Sequence, residues 1–345
     1  MAGNPSPPAL LTVVDLCISF PAHGRMIPIV EHVSFTLHEG EILGLVGESG
    51  SGKSVTAMAL MGLIDSPGVQ VRGSARFRGH ELVGLPQKQL RRLRGREMAM
   101  IFQDPMTAFT PVHTIGWQID EQIRAHEPLS RRAARARTLE LLGEMGVPDP
   151  TRAARSYPHQ LSGGLRQRAM IAMALSCNPT LLIADEPTTA LDVTVQAQIL
   201  ELIDALRGTH GSSVLLITHD MGVVARSCDN VLVLYSGRVA ETGPAPALFA
   251  RPAHPYTAAL LDSIPPLYGP RPHRLPAIAG MPPVPSRRPA GCAFAPRCMY
   301  AHESCTPQPP PLVAVGSGHA AASVLPAEGA PLPPRLSNTV WEGQP

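Results

Sequence analysis

The feature that most constrains the fold is the run GESGSGKS, Gly47 to Ser54. It fits the phosphate-loop template G-x-x-x-x-G-K-[ST] without a gap. In such a loop the glycines let the backbone turn tightly and aim successive N–H groups at phosphate oxygens. We expect Lys53 to reach the β- and γ-phosphates and the Ser54 hydroxyl to bind Mg²⁺. The predicted phosphate-binding residues are Gly47, Glu48, Ser49, Gly50, Ser51, Gly52, Lys53 and Ser54.

The segments on either side of this loop have the secondary structure that a phosphate loop requires. EILGLV, residues 41–46, is a mostly apolar run of strand length, and the residues after Lys53 favour a helix, with no Pro or Gly before Gly62. A helix that begins here places its partial positive charge under the phosphates. The alternative is a Gly/Ser turn that only joins strand to helix, and the later motifs count against it.

Four polar residues stand at the carboxyl ends of predicted strands: Gln103 in IFQDP, Asp185 and Glu186 in TLLIADEP, and His219 in SSVLLITHD. Ligands of open α/β sheets bind outside these strand ends. Adjacent strand residues point in opposite directions, so Asp185 can serve a metal while Glu186 faces a water beside the γ-phosphate. Emergence of the strand into solvent would also explain an isolated Asp-Glu pair, but the phosphate loop favours the metal-and-base interpretation.

A second helix start that can receive an anion lies at Ser162, Gly163 and Gly164, before a segment rich in Ala, Met, Leu and Arg. Ser-Gly-Gly alone is a common helix start, but its position directly upstream of TLLIADEP favours a functional role. At the N-terminus, two alternating runs between Leu10 and Leu37 predict an antiparallel hairpin. Phe20 ends the first strand, where its ring could stack on a nucleotide base or only pack on the core, and the sequence leaves both readings open.

Size and charge narrow the class of protein. A chain of 345 residues suggests about two domains, because single cores stop growing near about 250–300 residues. The net charge of +2 gives no field that would draw the chain to nucleic acid. We find neither a signal-peptide pattern nor an apolar run of membrane-spanning length, so we expect a soluble chain made and kept in the cytoplasm.

The motifs GESGSGKS, IFQDP, LSGG, LLIADEPTTALD and ITHD, in this order, resemble those of the ATP-binding subunit of ABC transporters. The resemblance covers essentially the whole chain. The runs LRQRAMIAMAL, ADEPTTALDVTVQAQI, RPAHPYTAALLDSIP and GCAFAPRC are further similar to the D-type ATPase of bacterial oligopeptide and dipeptide importers. The resemblance implies an α/β P-loop NTPase core with an antiparallel β subdomain and a helical subdomain. We place the ATPase domain at 1–250, its helical subdomain at about 106–160, and a Pro-rich irregular extension with a disordered end at 251–345.

The family also implies roles for individual residues. Ser54, Gln103 and Asp185 would contact Mg²⁺, Glu186 would be the general base, and His219 would sense the γ-phosphate. Ser162, Gly163 and Gly164 would close on ATP held by a partner subunit, and Asp192 would lie at that interface, so catalysis would occur only in the dimer. Phe20 occupies the place where relatives stack an aromatic ring on adenine.

The implied partners are a second ATPase chain, as a heterodimer, two membrane permease subunits and, indirectly, an extracytoplasmic peptide-binding protein. This would place the chain peripherally on the cytoplasmic face of the membrane. An importer of nickel or another small solute is the alternative within the family. ABC-type ATPases of DNA repair or translation are the alternative of a different class, but the long insertions or the second ATPase half that those chains carry are not found here.

The extension carries a separate candidate site. It holds 21 of the 38 prolines, and within it Cys292, Cys298 and Cys305 are spaced Cys-x5-Cys-x6-Cys, unlike a zinc finger. Close cysteines in a cytosolic chain favour a metal over disulfides. Relatives with this tail are thought to bind a [4Fe–4S] cluster through a fourth cysteine, and here Ser323 stands near that place. Two hypotheses stay open: a cluster with a substitute ligand such as His319, or a site that has lost its metal.

Overall fold

In the computed structural model, the described residues are 7–22, 24–188, 193–264 and 278–325. They form two β-sheets with helices around them. The strands are β1 (Ala9–Ala22), β2 (Arg25–His38), β3 (Ile42–Val46), β4 (Gln70–Phe77), β5 (His80–Glu81), β6 (Met98–Ile101), β7 (Leu181–Asp185), β8 (Ser213–Thr218), β9 (Asn230–Tyr235), β10 (Arg238–Pro244), β11 (Val313–Gly316) and β12 (His319–Ala321).

Helices connect most of these strands. They are α1 (Lys53–Leu60), α2 (Gln87–Leu93), α3 (Pro105–Ala108), α4 (Ile115–His126), α5 (Arg131–Glu144), α6 (Pro150–Arg155), α7 (Gly163–Leu175), α8 (Val193–His210), α9 (Met221–Ser227), α10 (Ala245–Ala250) and α11 (Pro255–Asp262). Thr114, Ser130 and Ser162 cap α4, α5 and α7 by accepting a backbone N–H bond. None of the helices in the described part of the chain is both long and apolar enough to span a membrane.

The main sheet has the order β11-β12-β10-β9-β3-β8-β7-β6, and its strands from β9 to β6 are parallel. All residues of β3, β6, β7 and β8 are buried, as expected for parallel strands covered on both faces. Successive residues therefore enter opposite cores. Leu43 and Leu45 pack with the hairpin and α1, whereas Ile42 and Val46 pack with the helical region. This double burial fixes the register of the strand ends, where the predicted site residues stand.

The second sheet is antiparallel, with the order β2-β1-β4-β5. The predicted N-terminal hairpin is confirmed, since β1 and β2 pair along most of their length. The predicted helical subdomain is confirmed as well, because α3 to α6 lie between β6 and β7. The family's fold class is thus the observed one.

The described part of the C-terminal extension includes three short 3-10 turns, at Pro285–Arg287, Ala295–Arg297 and Glu303–Cys305. It differs from the expected irregular segment in two respects: Pro255–Asp262 form the regular helix α11, and β12 pairs with β10 while β11 adds a further strand at that edge of the main sheet. Proline density did not predict these strands, because they fall in a stretch free of proline, VAVGSGHAAASVL. The predicted disordered end beyond residue 325 lies outside the described residues.

Candidate functional site

The phosphate loop joins β3 directly to α1. Gly47, Gly50 and Gly52 all have positive φ, at 150°, 78° and 101°. At Gly47 a Cβ would lie 2.2 Å from the Leu234 carbonyl oxygen, so no other residue fits there without a shift of the loop. The close approach of β9, to which Leu234 belongs, thus requires glycine at position 47. Buried in the same loop, the Ser51 Oγ has no hydrogen-bond partner among the described residues, as expected for a group that awaits a ligand.

Lys53 lies folded back on the loop. Its Nζ donates to the Gly47 and Glu48 carbonyl oxygens at 2.7 and 3.1 Å, and only 5% of the residue is exposed. Burial lowers the pKa of Lys53, and the carboxylates of Glu186, Asp185 and Glu48 oppose that shift. The ammonium is thus a desolvated cation inside a curved row of backbone groups. This arrangement fits an anionic phosphate chain.

The predicted metal ligands Ser54 and Asp185 meet across the gap between α1 and β7. Ser54 Oγ donates to Asp185 Oδ1 at 3.0 Å. Oxygens in adjacent positions of an octahedral Mg²⁺ shell lie about 2.9 Å apart, so this pair needs little movement to share one ion. Burial raises the pKa of Asp185, while the Ser54 hydrogen bond opposes it. A bound divalent cation would stabilise the charged carboxylate of Asp185 and so offset the cost of its burial. The Ser54 and Asp185 pair therefore fits Mg²⁺.

The other three strand-end residues form one hydrogen-bonded group around Glu186. Gln103 Nε2 donates to Glu186 Oε2 at 3.0 Å, and His219 Nδ1 lies 3.2 Å from Glu186 Oε1. Glu186 has φ of 46°, a left-handed conformation that is uncommon for glutamate. Its side chain is 14% exposed, whereas His219 is 62% exposed. A carboxylate that is held from both sides, next to a site open to solvent, can accept a proton from a bound water.

The Ser-Gly-Gly segment lies elsewhere on the surface. Ser162 caps α7 by accepting from Leu165 N at 3.4 Å. Ser162 and Gly163 are exposed, and a Cβ at Gly163 would meet nothing within 4 Å. The structure gives no hydrogen bond between this segment and the phosphate loop within the described residues. The predicted role of the segment therefore needs a second subunit, and Asp192, predicted to lie at that interface, is outside the described residues.

The sequence predicts that Phe20 ends the first strand, but β1 continues to Ala22, and Phe20 pairs with Ile27 across the hairpin. Its ring is half-buried and packs against the core beneath β3. The hairpin lies against the loop, because a Cβ at Gly52 would be 3.0 Å from Val30 Cγ2. Core packing is thus observed for Phe20, and adenine stacking stays a prediction.

Sequence reasoning missed the partners of Glu48, the second residue of the loop. The Tyr256 hydroxyl accepts from Glu48 N at 2.8 Å, and Arg297 forms a bidentate pair with the Glu48 carboxylate. Both partners belong to the region beyond residue 250, more than 200 positions away in sequence. No local pattern signals contacts of this separation.

The three clustered cysteines line one cavity together with His254 and Ser323. Burial raises the pKa of the Cys292 and Cys298 thiols. His319, a suggested substitute ligand, is not at the cavity: its Nε2 contacts Glu241 Oε1 at 2.7 Å.

His254 lines the cavity but is a poor candidate for the fourth ligand. Its Nδ1 accepts from Tyr256 N at 3.0 Å, which places the proton of the neutral ring on Nε2. The described residues thus supply three thiols, one fewer than the four thiolates usual for a [4Fe–4S] cluster. This donor set does not fit the [4Fe–4S] cluster that the resemblance led us to consider.

Comparison with known proteins agrees with this geometry. Residues 30–189 match the family model described as ABC transporter, and residues 240–305 match the one described as Oligopeptide/dipeptide transporter, C-terminal region. The chain is 50% identical over 311 residues to a putative peptide import ATP-binding protein of Brucella abortus, covering 90% of this chain and 93% of that one.

Two further likenesses extend the comparison. The dipeptide transport ATP-binding protein DppD of Escherichia coli K12 is 45% identical over 325 residues, or 94% of this chain and 99% of that one. Among solved structures, an ATP-binding cassette dimer in a post-hydrolysis state with ADP and Pi aligns with a TM-score of 0.62 and 27% identity. The alignment covers 68% of this chain and 98% of that chain.

Proposed function

Because this chain belongs to the ABC transporter family of ATP-binding proteins, we propose that it hydrolyses ATP to drive uptake of di- or oligopeptides through partner membrane subunits. The observation that carries the proposal is the convergence of Lys53, Ser54, Asp185 and Glu186 at the ends of β3 and β7. The peptide substrate is supported by the match of residues 240–305 to the oligopeptide/dipeptide transporter region and by relatives named for peptide import.

In this proposal the phosphate loop binds the triphosphate through its backbone N–H groups, and Lys53 binds the β- and γ-phosphates. Ser54, Asp185 and Gln103 hold Mg²⁺, which neutralises charge on the phosphate oxygens. Glu186 accepts the proton of the attacking water, and His219 contacts the γ-phosphate. Phosphoryl transfer is catalysed mainly by positioning and charge stabilisation, so each of these residues acts without covalent chemistry.

The site is completed by a second subunit. Ser162, Gly163 and Gly164 begin α7 at an exposed helix N-terminus, whose partial positive charge suits a phosphate presented by another chain. Asp192 contributes to the same interface. ATP then holds two ATPase chains together, and hydrolysis releases them. The dimeric cassette with ADP and Pi among the structural neighbours supports this arrangement.

The remaining partners follow from the importer role. Two permease subunits bind the ATPase pair, and a peptide-binding protein delivers substrate to them from outside. The chain thereby lies at the cytoplasmic face of the membrane as a peripheral subunit. The helical subdomain, α3 to α6, is the part of the chain that we assign to the permeases, because the resemblance to importer ATPases implies that this insertion meets the membrane subunits.

The cysteine cavity does not enter this mechanism. Of the two sequence-based hypotheses, we propose that the site has lost its metal, because among the described residues only three thiols are available to it: the Nδ1 of His254 already accepts a hydrogen bond from Tyr256 N, and His319 contacts Glu241 instead. Iron and acid-labile sulfide assays on anaerobically purified protein test this. About four iron and four sulfide per chain would overturn it.

The function is tested by peptide uptake into vesicles that contain both ATPase chains and the permeases, with the binding protein supplied outside. We expect Lys53→Ala to abolish both ATP hydrolysis and dipeptide uptake. Lys88→Ala, which removes an exposed lysine of α2, is the matched control and retains both. ATP hydrolysis by the Lys53→Ala complex at the wild-type rate would refute the site. Hydrolysis coupled to a non-peptide solute would refute the substrate class.

A further inference from the structure

The proposed ATP-binding loop contains a carboxylate. Glu48 directly follows the first glycine of the phosphate loop, beside the place assigned to a triphosphate. The Glu48 charge also acts on Lys53, whose Nζ bonds to the Glu48 carbonyl oxygen. An unpaired negative charge in that position would oppose ATP binding.

Arg297, in the C-terminal extension, pairs with this carboxylate through both ends of its guanidinium. Nη1 donates to Glu48 Oε2 at 2.6 Å and Nη2 donates to Glu48 Oε1 at 3.0 Å. The Arg297 side chain is 5% exposed. The hydrogen bonds to Glu48 are the largest cause of a raised pKa at Arg297, so the guanidinium keeps its charge throughout the physiological range. A bidentate pair of this kind fixes the direction of the carboxylate as well as its charge.

Arg297 is itself held rigidly by its surroundings. Its Nε donates to the Ala279 carbonyl oxygen at 2.9 Å, and Nη1 also donates to the Tyr235 hydroxyl at 3.1 Å. The guanidinium carbon lies 5.8 Å from the Tyr235 ring centroid and 5.9 Å from that of Phe294. The Tyr256 ring is 4.5 Å from Tyr235, and its hydroxyl holds the Glu48 backbone N–H. Arg297 therefore holds the side chain of Glu48, and Tyr256 holds its backbone N–H.

We propose that Arg297 is a positioning residue for ATP binding: it neutralises Glu48 and holds that carboxylate on the side of the phosphate loop that faces the C-terminal extension. The inference rests on the proposed function, since it concerns the same ATP site. Under this proposal the C-terminal extension contributes to the affinity of the chain for ATP. Glu48 can then remain in the loop without repelling the phosphates.

Arg288 provides a matched control within the same extension. Its side chain is also 5% exposed, and its Nη1 lies 2.6 Å from the carboxylate of Glu31, on β2. Arg288→Met therefore removes an equally buried cation that docks the extension, but its carboxylate partner is outside the phosphate loop. Loss of docking alone would affect both arginine variants alike.

The test measures the affinity of the purified full-length chain for ATP with a fluorescent nucleotide, displaced by ATP. For Arg297→Met we expect roughly tenfold weaker binding, which corresponds to about 1.4 kcal/mol. For Arg297→Lys, which keeps the charge and loses the fork, we expect a weakening of about threefold. Arg288→Met should stay within about twofold of wild type. In the double variant Glu48→Gln/Arg297→Met, affinity should return to within about threefold of wild type, because the unpaired charge is gone.

The assembled complex supplies a second readout. We expect Arg297→Lys to raise the KM for ATP while kcat at saturating ATP stays within about twofold, since Arg297 contacts none of the proposed catalytic side chains. Wild-type affinity in both Arg297 variants, equal weakening by Arg288→Met, or no rescue by Glu48→Gln would overturn the proposal. If the wild-type chain itself fails to bind ATP, the proposed function fails instead, and the two results are thereby distinguished.

Discussion

Replacement of Glu186 by glutamine tests the chemistry of the site with little change in its shape. Glu186 accepts from Gln103 at 3.0 Å and contacts His219 Nδ1 at 3.2 Å. Glutamine can keep both contacts, because its carbonyl oxygen can accept from Gln103 while its amide donates to the neutral imidazole. The substitution therefore removes the negative charge and the proton affinity of residue 186 and leaves the hydrogen-bonded group in place.

The expected magnitude follows from the assigned role. A positioned general base contributes about 10²–10⁴ to the rate, or about 3–5 kcal/mol of barrier. Phosphate release by the complex at saturating ATP should fall by that factor. ATP affinity should not fall, because Lys53, Ser54 and the loop are unchanged and one negative charge near the phosphates is gone. Single-turnover phosphate release and equilibrium nucleotide binding measure the two quantities separately.

Glu39→Gln serves as the matched control, since Glu39 is an exposed carboxylate in the turn before β3. It should leave both quantities at the wild-type level. Phosphate release by Glu186→Gln within about tenfold of wild type would show that another group accepts the proton. A parallel loss of ATP affinity would show instead that Glu186 supports the loop structurally, and the argument from geometry would fail.

Three other predictions concern glycine, histidine and cysteine. Gly47→Ala should abolish ATP binding, because its Cβ would lie 2.2 Å from the Leu234 carbonyl oxygen. Gly50→Ala, whose Cβ would meet nothing within 4 Å, should weaken ATP binding by less than about tenfold. Titration of each variant with nucleotide compares the two affinities. Burial lowers the pKa of His254 to about 4, so the unfolded chain takes up its proton first as the pH falls below about 6.5. The free energy of unfolding should therefore drop by about 2–3 kcal/mol from this group between pH 7 and pH 4.5, and urea titrations of His254→Asn, which keeps the helix cap, should lack that part of the loss. Burial raises the pKa of the Cys228 thiol to about 12, so mass spectrometry after iodoacetamide at pH 8 should find Cys228 unmodified while the folded chain persists.

The candidate site was predictable because its parts are local patterns fixed by sheet topology. Parallel strands present their carboxyl ends at one edge of the sheet. The loop that follows β3 must therefore meet the polar residues that follow β6, β7 and β8. The contact of Ser54 with Asp185 follows from this rule, although the two are 131 residues apart. The role of the Ser-Gly-Gly segment came from resemblance, and a single chain leaves it a prediction.

The contacts of the extension were not predictable in the same way. A composition shift near residue 250 marks where prolines accumulate, but it carries no information on which surface those residues cover. Arg288 and Arg297 look alike in sequence, as arginines in a Pro-rich segment, and only the folded chain assigns one to β2 and the other to the phosphate loop. Side chains that act across hundreds of positions have no periodicity that a sequence could display.

The division at residue 250 stays a prediction about domains, yet contacts across it argue that the two parts are stable together. Glu241, completely buried in β10, accepts backbone N–H bonds from Ala253 and His254 and pairs with His319 of β12. A buried carboxylate without these partners would cost several kcal/mol, so β10 depends on the residues that follow it. Since β10 lies beside β9, whose Leu234 carbonyl oxygen would be 2.2 Å from a Cβ at position 47, the extension supports the sheet on which the phosphate loop is built. The change in composition near residue 250 therefore divides the sequence at a point where the folded chain depends on contacts between the two parts.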